Sequence, residues 1–202
     1  MRVAPGTRLL VATGNRGKMA EFSSLLSPFA LILMSLTDLG LGEPEETERS
    51  FAGNALVKAR AGATASGLLT LADDSGLEVD ALGGAPGIYT ADWAEGARGR
   101  DFSRAMEKTW GLLEAVRAVA PRKAQFRCTL ALVDPNGPEQ VFEGRVAGQI
   151  VWPRRGTLGH GYDPIFVPDG HDQTFGEMEE VVKNRISHRA DAFAKLTKEC
   201  FT

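Results

Sequence analysis

The chain has 202 residues and a formal net charge of −3, with 43% hydrophobic and 24% charged residues. These values are typical of a soluble globular protein, and the length predicts a single domain, residues 1–202. The acidic balance argues against binding to nucleic acid through charge, and no apolar run reaches the roughly 20 residues that cross a membrane. The first residues do not form a signal peptide, so we expect a cytoplasmic protein.

The first predicted elements are a strand, a loop and a helix. Arg8–Ala12 is a short apolar strand, and apolar residues over 19–26 recur at helical spacing before a proline. The loop Thr13–Lys18 contains two glycines, and Lys18 lies in the first turn of the helix. A cation at a helix N-terminus is unfavourable unless an anion binds there. The loop therefore indicates an anion site, and an ordinary turn with a solvated lysine is the alternative.

The next segments continue an α/β pattern. Leu31–Leu36 is a second predicted strand, which favours a parallel β-α-β unit. The acidic segment Asp38–Arg49 is typical of a solvated loop, or of a loop that brings one carboxylate to a metal. Ser50–Ser66 is predicted as an alanine-rich helix that ends at Gly67.

Two adjacent carboxylates follow the apolar run 68–72. Side chains next to each other in a strand point to opposite faces, so Asp73 and Asp74 can share a partner only if the chain turns there. Gly76 permits such a turn. We expect a carboxylate at the exposed end of a buried strand, where Mg²⁺ finds the oxygen ligands that it prefers. A plain polar turn is the alternative, because all these residue types favour turns.

A long irregular loop reaches about residue 100, and a helix is predicted over Asp101–Ala120 with Pro121 at its end. Ala124–Val133 alternates as a strand, and a turn at Asp134–Gly137 joins it to a second strand over Gln140–Val146. These segments predict a β-hairpin after the opening α/β unit.

The last third contains a second polar cluster. Gly156–Asp163 is a glycine-rich loop with His160 between two glycines, and a short strand follows it. Lys183–Arg189 contains three cations and a histidine, with Ser187 placed to cap the final helix. A basic segment of this kind is either a solvated surface or a site. Together with the lysine loop and the carboxylates, it favours a nucleoside triphosphate bridged to the protein by a divalent cation.

Five motifs follow one another over nearly the whole chain: Thr13-Gly14-Asn15-x-x-Lys18, Ala72-Asp73-Asp74-Ser75-Gly76-Leu77, Leu82-Gly83-Gly84-Ala85-Pro86-Gly87-Ile88-Tyr89, Gly161-Tyr162-Asp163-Pro164-Ile165-Phe166 and Ser187-His188-Arg189. This series resembles the inosine triphosphate pyrophosphatases, which hydrolyse noncanonical purine nucleoside triphosphates. The resemblance implies an elongated, two-lobed α/β fold with a long curved mixed β-sheet flanked by helices, a nucleotide cleft between the lobes, and usually a homodimer. It implies Mg²⁺-dependent hydrolysis of inosine, deoxyinosine and xanthosine triphosphates (ITP, dITP and XTP) to the monophosphate and pyrophosphate.

The same resemblance implies roles for individual residues. Asp74 matches the family's catalytic base and metal ligand, and Glu46 matches its second metal ligand. Ser75 resembles a phosphate contact. The other positions that match substrate-binding residues are Thr13, Gly14, Asn15, Arg16, Gly17 and Lys18 for the triphosphate, and His160, Gly161, Tyr162, Asp163, Lys183, His188 and Arg189 for the nucleotide.

The chain departs from the family pattern at two positions. His160 stands where relatives usually have phenylalanine, and Gly53 stands where many bacterial relatives have glutamate. Two other interpretations stay open. One is a Maf-like pyrophosphatase of different specificity, although that family opens with Ala-Ser-x-Ser-x-Arg-Arg. The other is a nucleotide-binding module without catalysis, which the set of carboxylates argues against.

Overall fold

The computed structural model describes residues 1–97 and 99–201, and for Arg16 the backbone alone. The strands are β1 Arg8–Val11, β2 Ile32–Ser35, β3 Leu69–Val79, β4 Arg122–Val133, β5 Glu139–Ile150 and β6 Phe166–Pro168. The α-helices are α1 Arg16–Leu26, α2 Phe51–Ser66, α3 Phe102–Ala115, α4 Glu180–Ile186 and α5 His188–Cys200. The strands form one sheet in the order β2-β1-β3-β4-β5-β6. Because β1 is parallel to β2 and β3 while β5 and β6 are antiparallel, the predicted α/β class and mixed sheet are confirmed.

Two compact units divide the chain. Unit 1 consists of Met1–Asp74, Cys128–Gly144 and Ala192–Thr202, and unit 2 consists of Ser75–Arg127 and Arg145–Asp191. The prediction of one domain remains a prediction. No helix in the described residues combines the length and the apolar character that a membrane crossing needs.

The core of unit 1 follows the alternation of side chains along its strands. Leu9, Val11 and Leu71 pack with apolar residues of α1 and α5. Their neighbours Leu10 and Ala12 belong to a second cluster, which contains Ala55, Ala59 and Ala63 of α2. Small side chains let α2 lie close to the sheet, since a Cβ added at its Gly62 would be 2.9 Å from Thr70 Cγ2. Gly67 is the C-cap of α2, as predicted, and Ser50, the first residue of the predicted helix, is its N-cap.

The prediction that a buried strand has an exposed end at Asp73 and Asp74 is wrong, and so is the alternative of a polar turn. β3 continues through Asp73, Asp74, Ser75 and Gly76 to Val79 without a turn. The local sequence suggests a turn because these residues favour turns in isolation. In the folded chain β3 has a neighbouring strand on each side, and helices supply polar partners for both carboxylates. Tertiary contacts thus stabilise a polar stretch as a buried central strand.

The core of unit 2 is rich in aromatic residues. The ring centroids of Phe126 and Phe166 are 4.7 Å apart, and the two rings make an edge-to-face contact. Here α3 ends at Ala115, five residues before the predicted end. The helix stops because Arg117 has a positive φ of 53°, and the Ala118 N–H then donates to the Leu113 carbonyl at 2.9 Å.

Near the C-terminus, the short helix α4 was not predicted from the sequence. It contains Lys183 and ends at Ile186. Ser187 then caps α5 as predicted, since its Oγ accepts from the Ala190 N–H at 3.2 Å. The two helices therefore follow each other directly, and Lys183, His188 and Arg189 of the basic segment are buried.

Candidate functional site

The loop before α1 is ordered by its own side chains. Asn15 Oδ1 accepts from the N–H groups of Gly17 at 2.9 Å and Lys18 at 3.2 Å, so Asn15 is the N-cap of α1. The Asn15 N–H in turn donates to Thr13 Oγ1 at 3.2 Å. Two N–H groups at the predicted anion site are thus already hydrogen-bonded to Asn15. The side chain of Arg16 lies outside the described residues.

Lys18 lies against a carboxylate in this structure. Its Nζ is 2.9 Å from Asp73 Oδ2, and the Asp73 side chain is fully buried while that of Lys18 is 18% exposed. Asp73 belongs to the face of β3 that carries Leu71, which is the face packed with α1. The negative charge of Asp73 therefore offsets the cation at the helix N-terminus.

On the other face of β3, Asp74 is held by α2. Asn54 Nδ2 donates to Asp74 Oδ2 at 3.2 Å, and Asn54 Oδ1 accepts from the Glu48 N–H at 2.9 Å. The Asn54 amide thereby links the acidic loop to the strand. Lys58 Nζ donates to Glu46 Oε1 at 2.5 Å and lies 4.0 Å from Asp74 Oδ1. One ammonium group thus lies beside both carboxylates that were predicted as metal ligands.

Burial changes the protonation equilibria of this cluster. Desolvation raises the pKa of Asp74 to about 6, although the nearby Lys58 ammonium opposes that rise. Burial also lowers the pKa of Lys58, but the charges of Asp73, Asp74 and Glu46 outweigh it and raise that pKa overall. Lys58 therefore remains an ammonium group, and Asp74 can exchange a proton near neutral pH.

The donor set fits a hard cation that keeps other ligands. Within the described residues no three His, Cys, Asp or Glu side chains converge as a ready-made metal site. Glu46 and Asp74 offer two carboxylates beside a common ammonium group. Mg²⁺ is commonly bound through one or two carboxylates, with water and substrate oxygens completing its shell. Carboxylate oxygens are typical ligands of Mg²⁺, whereas structural zinc sites are built mainly from Cys sulfur and His nitrogen.

In unit 2 the carboxylate of Asp163 organises the glycine-rich loop. Asp163 Oδ2 accepts from Lys183 Nζ at 2.6 Å and from the His160 N–H at 2.7 Å. Gly159 has a positive φ of 72°, and a Cβ there would collide with the same carboxylate. The His160 side chain itself is exposed, while Gly161 lies between it and the buried Tyr162.

The basic segment is not a solvated surface, so that alternative is wrong for three of its residues. Lys183 is 5% exposed, His188 7% and Arg189 3%. The His188 ring stacks on Phe126 with centroids 5.0 Å apart, and Arg189 Nη2 donates to Ser75 Oγ at 3.2 Å. Buried charged groups require polar partners. Those of Lys183 and Arg189 include Asp163 and Ser75, which are distant in the sequence.

Tyr162 lies in the core of unit 2 and contacts Phe102 edge-to-face at 5.8 Å. Its burial raises the pKa of the phenol well above its ordinary value. Its ring therefore packs in the core beside the loop that carries His160, and its role as a substrate contact remains a prediction.

Asn54 and Lys58 were not predicted as part of the site. Both lie on the buried face of α2, four residues apart, among Ala55, Ala59 and other small residues. Polar residues at helical spacing within an apolar face were the available signal. At the departure from the family pattern, a Cβ on Gly53 would be 2.6 Å from Glu48 Cβ. Glu48 therefore occupies the space that a side chain at position 53 would need.

Comparison with known proteins identifies the family. Residues 9–199 match the model described as the Ham1 family. The dITP/XTP pyrophosphatase of Ruegeria pomeroyi is 54% identical over 200 residues, which cover 99% of this chain and 98% of that protein. The dITP/XTP pyrophosphatase of Caulobacter vibrioides is 54% identical over 196 residues, covering 97% and 99%.

The chain belongs to the Ham1 family. A Ham1 protein from Coxiella burnetii superposes with a TM-score of 0.87 at 34% identity, covering 96% of this chain and 98% of that one. A nucleoside-triphosphatase, or dITP/XTP pyrophosphatase, from Mycobacterium abscessus gives 0.77 at 42% identity, covering 94% and 98%. The family and fold class predicted from the sequence motifs are therefore confirmed. The enzyme class of these Ham1-family relatives, hydrolases of nucleoside triphosphates, is the class that the motifs predicted.

Proposed function

We propose that this chain hydrolyses the noncanonical purine nucleoside triphosphates ITP, dITP and XTP to the monophosphate and pyrophosphate. The observation that carries the proposal is the buried Asp74 carboxyl, whose pKa is raised to about 6, beside Glu46 and Lys58. A proton acceptor that titrates near the working pH is what activation of water requires. The relatives named dITP/XTP pyrophosphatase support the substrate class.

In the proposed reaction Asp74 acts as the general base. Its Oδ2 is engaged by Asn54, so Oδ1 takes the proton from the attacking water. Glu46 and Asp74 would hold Mg²⁺, which when bound offsets the charge of the phosphate oxygens and of the leaving pyrophosphate. Asn54 holds the acidic loop beside β3, because its amide group hydrogen-bonds to both Glu48 and Asp74.

The remaining predicted residues are assigned to substrate binding. In unit 1, the loop Thr13–Lys18 is assigned to the triphosphate, with Asn15 Nδ2 as a donor beside its capping oxygen. In unit 2, Ser75 is assigned to a phosphate, and Lys183, His188, Arg189 and the loop 160–163 to the rest of the nucleotide. We also propose that the enzyme is a cytoplasmic homodimer that binds neither nucleic acid nor membranes.

The test is release of pyrophosphate from ITP, dITP and XTP, with ATP and GTP as controls, in Mg²⁺ and in excess chelator. We expect rapid Mg²⁺-dependent release from the three noncanonical nucleotides and little from ATP. Preferred hydrolysis of other nucleotides would favour the Maf-like alternative instead. Nucleotide binding without any pyrophosphate release would point to a non-catalytic module and contradict the proposal.

A further inference from the structure

Lys58 of α2 is a buried cation among carboxylates of two other segments, the acidic loop and β3. Its side chain is 3% exposed, and it donates to Glu46 Oε1 at 2.5 Å. Asp74 Oδ1 lies 4.0 Å away, and the charge of Asp73 acts on the same ammonium group. Removing an ammonium group from water is costly unless anions surround it. The position of Lys58 is therefore maintained by the carboxylates of the candidate metal site.

The oxygen that Lys58 contacts is one that a metal would need. Mg²⁺ binds its oxygen ligands at about 2.1 Å. Glu46 Oε1 is hydrogen-bonded to the Lys58 ammonium group, so Lys58 would have to move before this oxygen could bind the metal. Two cations close together also repel each other in a buried environment. Asp74 Oδ2 is already engaged by Asn54, which leaves few carboxylate oxygens outside the influence of Lys58.

We propose that Lys58 is a stand-in cation. It holds Glu46 and Asp74 together in the metal-free protein and competes with a divalent cation for Glu46. The cation alone binds weakly as a result, and binding becomes tight when the triphosphate of a substrate supplies oxygens for the displaced ammonium group. This inference rests on the proposed function, because it takes the substrate to be a polyanion, but it concerns binding and not turnover.

The direct test measures Mn²⁺ binding by isothermal titration without nucleotide. We compare the wild type with Lys58→Met, which keeps a long side chain but removes the charge. The matched control is Arg60→Met on the exposed face of the same helix, where Arg60 pairs with Glu139 at 2.7 Å. We expect Lys58→Met to bind Mn²⁺ at least tenfold more tightly than the wild type, and Arg60→Met to stay within twofold. Equal or weaker binding by a folded Lys58→Met protein overturns the proposal.

A second measurement uses the wild type, in case Lys58→Met does not fold. Low-level acetylation followed by mass spectrometry gives the modification rate of each lysine with and without saturating Mn²⁺. Displacement from Glu46 should raise the rate at Lys58 several-fold. Lys195, whose Nζ donates to the Glu143 carbonyl at 2.6 Å, serves as the internal control and should not change. An unchanged rate at Lys58 under Mn²⁺ saturation also overturns the proposal. Either result can be obtained even if ITP is not hydrolysed, so the two proposals fail separately.

Discussion

Each unit contains a buried lysine beside a buried aspartate, and the two pairs differ in how tightly they are closed. Lys183 and Asp163 in unit 2 meet at 2.6 Å, and the same aspartate oxygen accepts the His160 N–H. Lys58 and Asp74 in unit 1 remain 4.0 Å apart, because Lys58 bonds to Glu46. The closed pair orders a loop. The open arrangement leaves a desolvated carboxylate with a raised pKa, which is suited to chemistry.

The largest expected effect is the loss of the charge of Asp74. Asp74→Asn keeps the shape of the residue but removes the proton acceptor and a metal ligand, so the turnover of ITP should fall ~10²–10⁴-fold. Asp73→Asn is the matched control, because Asp73 lies on the opposite face of β3 and pairs with Lys18. The measurement is the steady-state rate of ITP hydrolysis by both variants and the wild type at saturating Mg²⁺. Activity near wild type in Asp74→Asn would contradict its assignment as base.

Opening the closed pair should act on stability. Lys183 is buried, so its replacement should affect the fold. Lys183→Met leaves the Asp163 carboxylate buried without its cation, and should cost about 3–5 kcal/mol in the free energy of unfolding. Urea denaturation measures the loss. Arg185→Met, at an exposed position of the same helix, should change stability by less than about 0.5 kcal/mol.

A second substitution distinguishes the pair from general damage to the helix. Adding Asp163→Asn to Lys183→Met removes the uncompensated charge, so part of the lost stability should return. If the double variant is less stable than Lys183→Met, the ion pair is not the cause of the loss.

In the open arrangement, Asp74→Asn should increase the free energy of unfolding in the absence of ligands, whereas Lys183→Met should decrease it. Burial raises the pKa of Asp74 from 3.8 to about 6, so the folded state holds this proton more tightly than the unfolded state does. That contribution to stability is fully present below pH 3.8 and is lost as the pH rises through 6. A shift of about 2 units corresponds to about 3 kcal/mol, so Asp74→Asn should be more stable than the wild type by up to that amount at pH 8.

Urea denaturation of both proteins at pH 8 and at pH 4 measures this difference. The advantage of Asp74→Asn should shrink towards pH 4, where the wild-type carboxyl is protonated in the folded state. A constant difference between the proteins at both pH values would exclude the titration of Asp74 as its cause.

The smallest expected effect concerns His160, which the closed pair presents to solvent. We expect its imidazole to stack on the purine, and base–aromatic stacking is worth ~1–3 kcal/mol per base. His160→Ala should raise the Michaelis constant for ITP several-fold, and His160→Phe should restore most of the loss. A Michaelis constant unchanged in His160→Ala would show that other residues hold the base.

A feature of this structure could be predicted from the sequence when the residues that cause it lie close together in the chain. β1 follows from its run of apolar residues, and α2 from its many alanines and from Gly67 at its end, so each has its cause within one segment. The family was recognisable because its motifs are short and ordered. The continuation of β3 was not predictable, because its carboxylates are stabilised by side chains of α1 and α2. The burial of Lys183 was hidden for the same reason, since its partner lies 20 residues away.

The unbroken course of β3 has a consequence for how this sequence can change. Asp73 and Asp74 are consecutive, and the alternation of a strand sends one to the Lys18 side and the other to the Asn54 side. Inserting or deleting one residue between Leu69 and Asp73 would exchange the two sides for every residue beyond that point. A single substitution changes the contacts of one side chain, whereas a change of length changes those of every residue beyond it. We therefore expect insertions and deletions to be accepted in the loops around β3 and not within the strand.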